Sequence, residues 1–184
     1  MKTSFKTTLS IALLLLCTSL SNAQVSSATS DEDSLFKQHE LRLNALYLLI
    51  GAIEVNYEYL LNENSGVGLS GLYTYDDGLW EYKYNVTGFY RHYFGKKYAG
   101  GFYGEAFLSY NGIEDYYYYN CGGSWSWDEK TSHNLGAGFA FGTKLISKDN
   151  LLLDIGAGLS RNFISSGYDD WLVPRFNISF GYRF

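Results

Sequence analysis

Apolar and polar residues alternate along this chain with a period of two from about Leu41 to Phe184. A strand turns successive side chains to opposite faces, so this period predicts strands with one apolar and one polar face. Eight segments of about ten residues carry it. They are about Leu41–Ile50, Ala52–Leu61, Val67–Tyr75, Glu81–Phe94, Phe102–Asn111, Asn134–Ile146, Leu151–Ser160 and Leu172–Phe184. In the second, Ile53, Val55, Tyr57 and Tyr59 alternate with Glu54, Asn56 and Glu58. In the sixth, Leu135, Ala137, Phe139 and Phe141 alternate with Gly136, Gly138, Ala140 and Gly142. Past the first two dozen residues the longest apolar run is about Ala45–Ile53. A transmembrane helix needs about 20 apolar residues, so any membrane span must be built of strands.

The connections differ in length. Asn62–Gly66, Gly95–Gly101 and Ser147–Asn150 are turn-like, rich in Gly, Asn, Asp and Lys. Between them lie Asp76–Trp80, a long stretch from Gly112 to His133, and Phe163–Trp171. Short turns on one rim and longer loops on the other suit an all-β, eight-stranded antiparallel up-and-down transmembrane β-barrel. The tight connection at Gly51 is the exception.

A secreted soluble barrel of the lipocalin type would alternate in the same way. The polar face separates the two. Water-facing strands carry Lys, Glu, Gln and Ser. Here that face is mostly small: Gly68, Ser70, Gly136, Gly138, Ala140, Gly142, Gly156, Gly158, Ser160, Ser179 and Gly181. Small residues fit the cramped lumen of a narrow barrel. The apolar face carries Leu, Val, Ile and Phe, with Tyr and Trp towards the strand ends, as in an interfacial aromatic girdle.

Charges also fall on the lumen parity: Arg42, Glu54, Glu58, Lys83, Arg91, Glu105, Lys144, Asp154, Arg175 and Arg183. Up-and-down order sets Arg183 and Arg42 beside Glu58, Arg91 beside Glu105, and Lys144 beside Asp154. Charges in a dry lumen are costly unless paired. The expectation is ion pairs that plug the lumen rather than a proton or ion pathway. A lumen filled this way is no general diffusion pore.

Composition agrees with strands: 18 Tyr, 12 Phe, 4 Trp and 20 Gly, but one Pro, Pro174. Lys2 and Lys6, the apolar Leu9–Cys17 and the small-x-Ala site Ser21-Asn22-Ala23 read as a signal peptide over 1–23. The alternatives are an uncleaved anchor, for which the stretch is too short, and a lipoprotein cysteine at Cys17, where the preceding Leu16 is not small. Residues 24–39 are polar and acidic and read as a flexible periplasmic lead-in, with the barrel over 40–184. Cleavage leaves 161 residues with 12 basic and 19 acidic side chains, a net charge of −7. That balance disfavours nucleic acid as a partner. Cys121 is then the single cysteine, so no internal disulfide forms, although it could pair with another chain.

The last eight residues, Asn177-Ile178-Ser179-Phe180-Gly181-Tyr182-Arg183-Phe184, resemble the β-signal read by outer-membrane assembly machinery. Asn177, Tyr182 and Phe184 match it, and Ser179 stands where glycine is usual. With the strand–turn pattern from Leu41 onwards, the chain resembles the small barrels grouped as outer-membrane-protein β-barrel domains, and the eight-stranded OmpA and OmpX barrels in architecture. The resemblance implies a location in the outer membrane of a Gram-negative bacterium. The implied partners are outer-membrane lipids and lipopolysaccharide and the assembly machinery, with the protein a monomer. It brings no activity, because fold is not function.

Candidate chemistry lies in the long connections. Asp76, Asp77, Trp80, Tyr117, Tyr119, Trp125, Trp127, Asp169, Asp170 and Trp171 compose an acidic, aromatic rim. It reads either as a surface for a glycan, a protein or a divalent cation, or as a solvated loop with interfacial aromatics. No motif points to a cofactor or fixes the ligand. A barrel enzyme acting on lipid A needs a nucleophile and base side by side. Ser132 and His133 are adjacent in sequence and so predicted on opposite faces, a poor dyad.

Overall fold

A computed structural model describes residues 37–76, 82–121, 124–165 and 172–184. The expected signal peptide and most of the lead-in lie outside the described residues. So do Asp77, Trp80, Asp169, Asp170 and Trp171.

The elements run in the order β1 (His39–Asn44), α1 (Ala45–Leu49), β2 (Ala52–Asn62), β3 (Ser65–Thr74), β4 (Tyr82–Tyr93), β5 (Gly101–Cys121), β6 (Ser124–Ile146), β7 (Leu151–Ser165) and β8 (Val173–Arg183). The eight strands close in chain order into one barrel, each antiparallel to its neighbours. The seam pairs β1 with β8, with Glu40 opposite Arg183 and Arg42 opposite Gly181.

Two elements depart from the sequence expectation. The first strand, expected to reach Ile50, stops at Asn44. The Asn44 side chain caps a helical turn by accepting from the Leu46 N–H at 3.1 Å. The five helical residues then bring the chain to Gly51, whose φ of +94° suits glycine. A side chain there would also meet the Asp76 Cβ at 2.7 Å. The second departure is the stretch from Gly112 to His133, expected as a loop. It is mostly strand: β5 and β6 stay paired up to Cys121 opposite Ser124.

Burial is inverted relative to a water-soluble barrel. Among the described residues, the large apolar side chains stand on the outer surface, with Phe139 at 69% and Leu69 at 61% exposure. They cover every strand and surround the barrel. The buried set is dominated by Glu, Arg, Asn, Ser and Thr. No described helix is long and apolar enough to cross a membrane.

The lumen is not lined by small residues alone. Phe89, Phe107, Tyr93, Tyr103 and Leu60 also point inward and are buried. Glycines make the room. Gly142 and Gly156 face each other across β6 and β7, and a Cβ on either would lie 2.5 or 2.7 Å from the Tyr103 hydroxyl. Gly142→Ala is therefore expected to cost about 1–3 kcal/mol through overpacking. Gly71, with nothing within 4 Å of an added Cβ, is the control. Equal urea-unfolding midpoints for Gly142→Ala and Gly71→Ala would overturn this account.

Candidate functional site

The period-two register brings ten charged residues from seven strands into one lumen: Glu40, Arg42, Glu54, Glu58, Arg91, Glu105, Lys144, Asp154, Arg175 and Arg183. Five are acidic and five basic, so the formal charges cancel. All ten belong to one connected network. Arg42 Nη1 lies 2.7 Å from Glu58, 3.1 Å from Asp154 and 3.2 Å from Glu40. Arg91 reaches Glu105 at 2.5 Å, Asp154 at 2.6 Å and Glu58 at 3.5 Å. Arg175 joins Glu105 at 2.9 Å to Glu54 at 3.1 Å.

Two of the pairings expected from sequence are replaced. Arg183 pairs with Glu40 at 2.6 Å rather than with Glu58. Lys144 is the register partner of Asp154, but its ammonium crosses the lumen to Glu40 at 2.6 Å and Glu58 at 3.1 Å. Backbone neighbours need not be charge partners where long side chains can span a narrow lumen. Glu40, absent from the charges expected in the lumen, joins three cations, Arg42, Lys144 and Arg183. It shares the parity of Arg42, but it falls just before the first expected strand and lost its signal there.

Aromatic rings are the second component. Tyr93 donates to Glu58 and accepts from Lys144. Tyr103 donates to Asp154 at 2.7 Å. Arg91 lies 4.2 Å from the Tyr103 ring centroid, and Arg175 lies 5.1 Å from that of Phe107. Cation–π contact and hydrogen bonds add to the ion pairs around these buried charges, while Arg42 Nη2 has no hydrogen-bond partner among the described residues.

The short-turn end is sealed. Leu60, Tyr93, Ala99 and Tyr103 pack together there. The turn between β4 and β5 tucks under the barrel, where the Ala99 N–H donates to the Glu63 carbonyl at 2.7 Å. Arg183 donates to the Tyr98 and Ala99 carbonyls, both at 3.0 Å. At the other end, a cavity of about 40 Å³ lies above Arg175 among Tyr47, Glu54, Asn85, Thr87 and Ser109. It has room for a water or two and is far below the ~300 Å³ of a small-molecule pocket.

Of the rim residues, Asp76 and the backbones of Tyr117, Tyr119, Trp125 and Trp127 lie among the described residues. The β5–β6 register pairs Tyr117 with Asp128, Tyr119 with Ser126, Tyr118 with Trp127 and Asn120 with Trp125. Asp76 lies against Gly51, whose carbonyl accepts from the Asp76 N–H at 3.1 Å. Ser132 faces inward and is buried, and His133 faces outward. The outer His133 ring stacks on Tyr110 at 5.9 Å and bonds the Tyr84 hydroxyl at 2.9 Å. At the seam, Asn177 lies on the lumen parity beside Ser179, while Tyr182 and Phe184 are on the outer face. Phe184 exchanges backbone hydrogen bonds with His39 at 2.8 and 3.1 Å and stacks on its ring.

The fold is an eight-stranded up-and-down β-barrel with its apolar face outward. No protein-family model and no curated protein matches the sequence. Among solved structures, the chain is similar to the N-terminal β-barrel domain of Pseudomonas aeruginosa OprF. The match has 17% identity and a TM-score of 0.46, and covers 79% of this chain and 96% of that one.

Proposed function

We propose that this chain is a non-enzymatic integral outer-membrane protein of a Gram-negative bacterium, a sealed barrel that presents the β5–β6 ribbon and neighbouring loops at the cell surface. One observation carries the reading: a continuous apolar outer wall around a polar, charge-neutral interior. Soluble monomers rarely expose apolar patches beyond a few hundred Å², and this wall encircles the molecule. In lipid the same wall is stable, and the closed barrel leaves no strand edge unpaired within the bilayer.

The lumen supports a scaffold rather than a pore or a carrier. It is filled by the ion-pair network, closed below by the β4–β5 turn, and holds a cavity too small for a lipocalin-type ligand. The opposed faces of Ser132 and His133 speak against a dyad acting on lipid A. The short turns face the periplasm in this reading, and the assembly machinery reads Asn177, Tyr182 and Phe184 on the last strand. The outer-membrane lipids are its first partners.

The test is fractionation of cells expressing the full chain, with gels run on unheated and heated samples. The protein is expected in the outer membrane, with a mobility that changes on heating. Recovery as a soluble periplasmic monomer would sink the reading.

A further inference from the structure

The two ends of the barrel differ in charge. The short-turn end displays Lys96 and Lys97 in the β4–β5 turn and Lys148 in the β6–β7 turn, all exposed. None of the three forms an ion pair among the described residues. Glu63 and Asp149 are the acidic side chains of the short turns. The connections at the other end, 76–80, 112–133 and 163–171, carry eight acidic residues and one lysine.

Backbone contacts hold the lysines in place. The Phe94 N–H donates to the Phe102 carbonyl at 2.8 Å and closes the β4–β5 turn. Within it the Gly100 N–H donates to the Lys97 carbonyl at 3.2 Å. A Cβ on Gly100 would lie 3.5 Å from the Lys97 Cβ and 2.8 Å from the Ile146 Cδ1, so this turn packs against the end of β6. Lys148 follows Ile146 by two residues, in a turn closed by the Ser147 N–H on the Leu151 carbonyl at 2.9 Å. The three lysines thus sit on adjacent, well-fixed turns.

An apolar belt adjoins them. Phe94, Phe102 and Phe141 stand exposed on the outer wall. Their rings follow one another at 6.0 and 6.5 Å. Lys96 lies two residues beyond Phe94, and Lys148 three beyond the exposed Leu145. Two to three residues of extended chain span about 7–10 Å. The headgroup zone on each side of a bilayer is about 5–8 Å deep. A molecule that fills both features carries acyl chains against the rings and a negative charge at the lysines. Cationic side chains beside a bilayer surface attract anionic headgroups. The flexible lysine stem lets each ammonium reach a phosphate without a fixed geometry. A soluble anion would use the lysines and leave the belt idle.

Resting on the outer-membrane reading above, we infer that Lys96, Lys97 and Lys148, with Phe94, Phe102 and Phe141 beside them, form a docking site for an anionic phospholipid of the periplasmic leaflet. The phosphate-bearing headgroup meets the lysines, and the acyl chains lie on the rings.

The test uses the full chain folded into phosphatidylcholine vesicles, with folding checked by the heat-dependent gel shift. Spin-labelled phosphatidylglycerol or phosphatidylcholine is added, and electron paramagnetic resonance reads how much of each is held at the protein surface. Phosphatidylglycerol is expected to be held about threefold or more over phosphatidylcholine at low salt. The preference is expected to shrink at high salt. Lys96→Gln/Lys97→Gln/Lys148→Gln is expected to abolish it. Arg161→Gln, which removes an exposed cation of β7 towards the other end, is expected to leave it unchanged. Should the triple variant not fold, the three single variants decide, and no loss in any of them overturns the inference. Equal retention of both lipids by the folded wild type also overturns it and leaves the membrane reading intact. So does a preference that survives the triple variant or that Arg161→Gln removes as well. A preference abolished by inorganic phosphate, but not by sodium chloride of equal ionic strength, would make the site one for a soluble anion and overturn the lipid assignment. A chain that shows no heat-dependent shift and stays soluble fails the membrane reading instead.

Discussion

Replacing Glu58 with glutamine is expected to lower the unfolding free energy of the barrel by about 3–5 kcal/mol. Glu58 is fully buried and takes contacts from Arg42 at 2.7 Å, Lys144 at 3.1 Å, Arg91 at 3.5 Å and the Tyr93 hydroxyl. Glutamine keeps the shape and removes the charge. Three cations then share too few carboxylates, and the five-to-five balance is lost. An unpaired buried charge costs far more than a buried pair contributes, because its desolvation is uncompensated. Combining Glu58→Gln with Lys144→Met restores neutrality and is expected to recover part of the loss. Urea unfolding of protein refolded into vesicles, followed by tryptophan emission, measures all three. A loss below about 1 kcal/mol for Glu58→Gln would mean that water screens the lumen.

The same connectivity changes what an isolated pair can mean here. Arg91 and Glu105 read as a simple pair in the sequence. In the structure Arg91 also serves Asp154 and Glu58, and Glu105 also holds Arg175. Removing both leaves Asp154 and Arg175 each short of a partner. The members of this network cannot be taken out two at a time without cost.

The fold was legible because a narrow barrel imposes a strict period of two, and the chain keeps it through Ile53–Tyr59 and Leu135–Phe141 without a break. What escaped were the places where that period is weak or overridden. Four consecutive tyrosines, Tyr116–Tyr119, show no polar alternation, so the ribbon passed for a loop. The signal that could have found it is the Gly122-Gly123 dipeptide, a turn-favouring pair set between a tyrosine-rich and a tryptophan-rich run. The first strand was overextended because Ala45–Leu49 is apolar and continues the strand's hydrophobicity, while the cap at Asn44 acts through one local hydrogen bond. In the lumen, parity identified the charges but not their partners. Parity fixes the face, whereas the reach of Lys144 across the barrel depends on the space that glycines and rings leave. Tyr93 and Tyr103 were missed for a related reason: in a membrane barrel, tyrosine is read as a girdle residue, and these two lie on the inner parity.

Arg183→Met is expected to cut the yield of folded barrel sharply while leaving export intact. The seam and the β1–β2 joint share the shortest ladders of the wall among the described residues. The seam has five register pairs, against twenty-one between β5 and β6. Side chains must therefore supply what the short backbone ladder does not. Arg183 pairs across the seam with Glu40 at 2.6 Å, and the same guanidinium holds the Tyr98 and Ala99 carbonyls of the turn that seals the floor. One side chain thus couples closing the wall to closing the floor. Methionine keeps the aliphatic stem and removes the donors, leaving Glu40 underpaired and two carbonyls without their donor. Arg183→Lys keeps the charge but not the planar fork, so it is expected to fall between methionine and the parent. Deleting Phe184 removes the two backbone bonds to His39 and the ring stacked on it, and frays the same seam from its end. The readout is the heat-shifted fraction in outer membranes, compared with total exported chain. If Arg183→Met assembles as well as the parent while Phe184 deletion does not, the end of β8 acts through recognition by the assembly machinery, and the Arg183 clamp contributes nothing to closure.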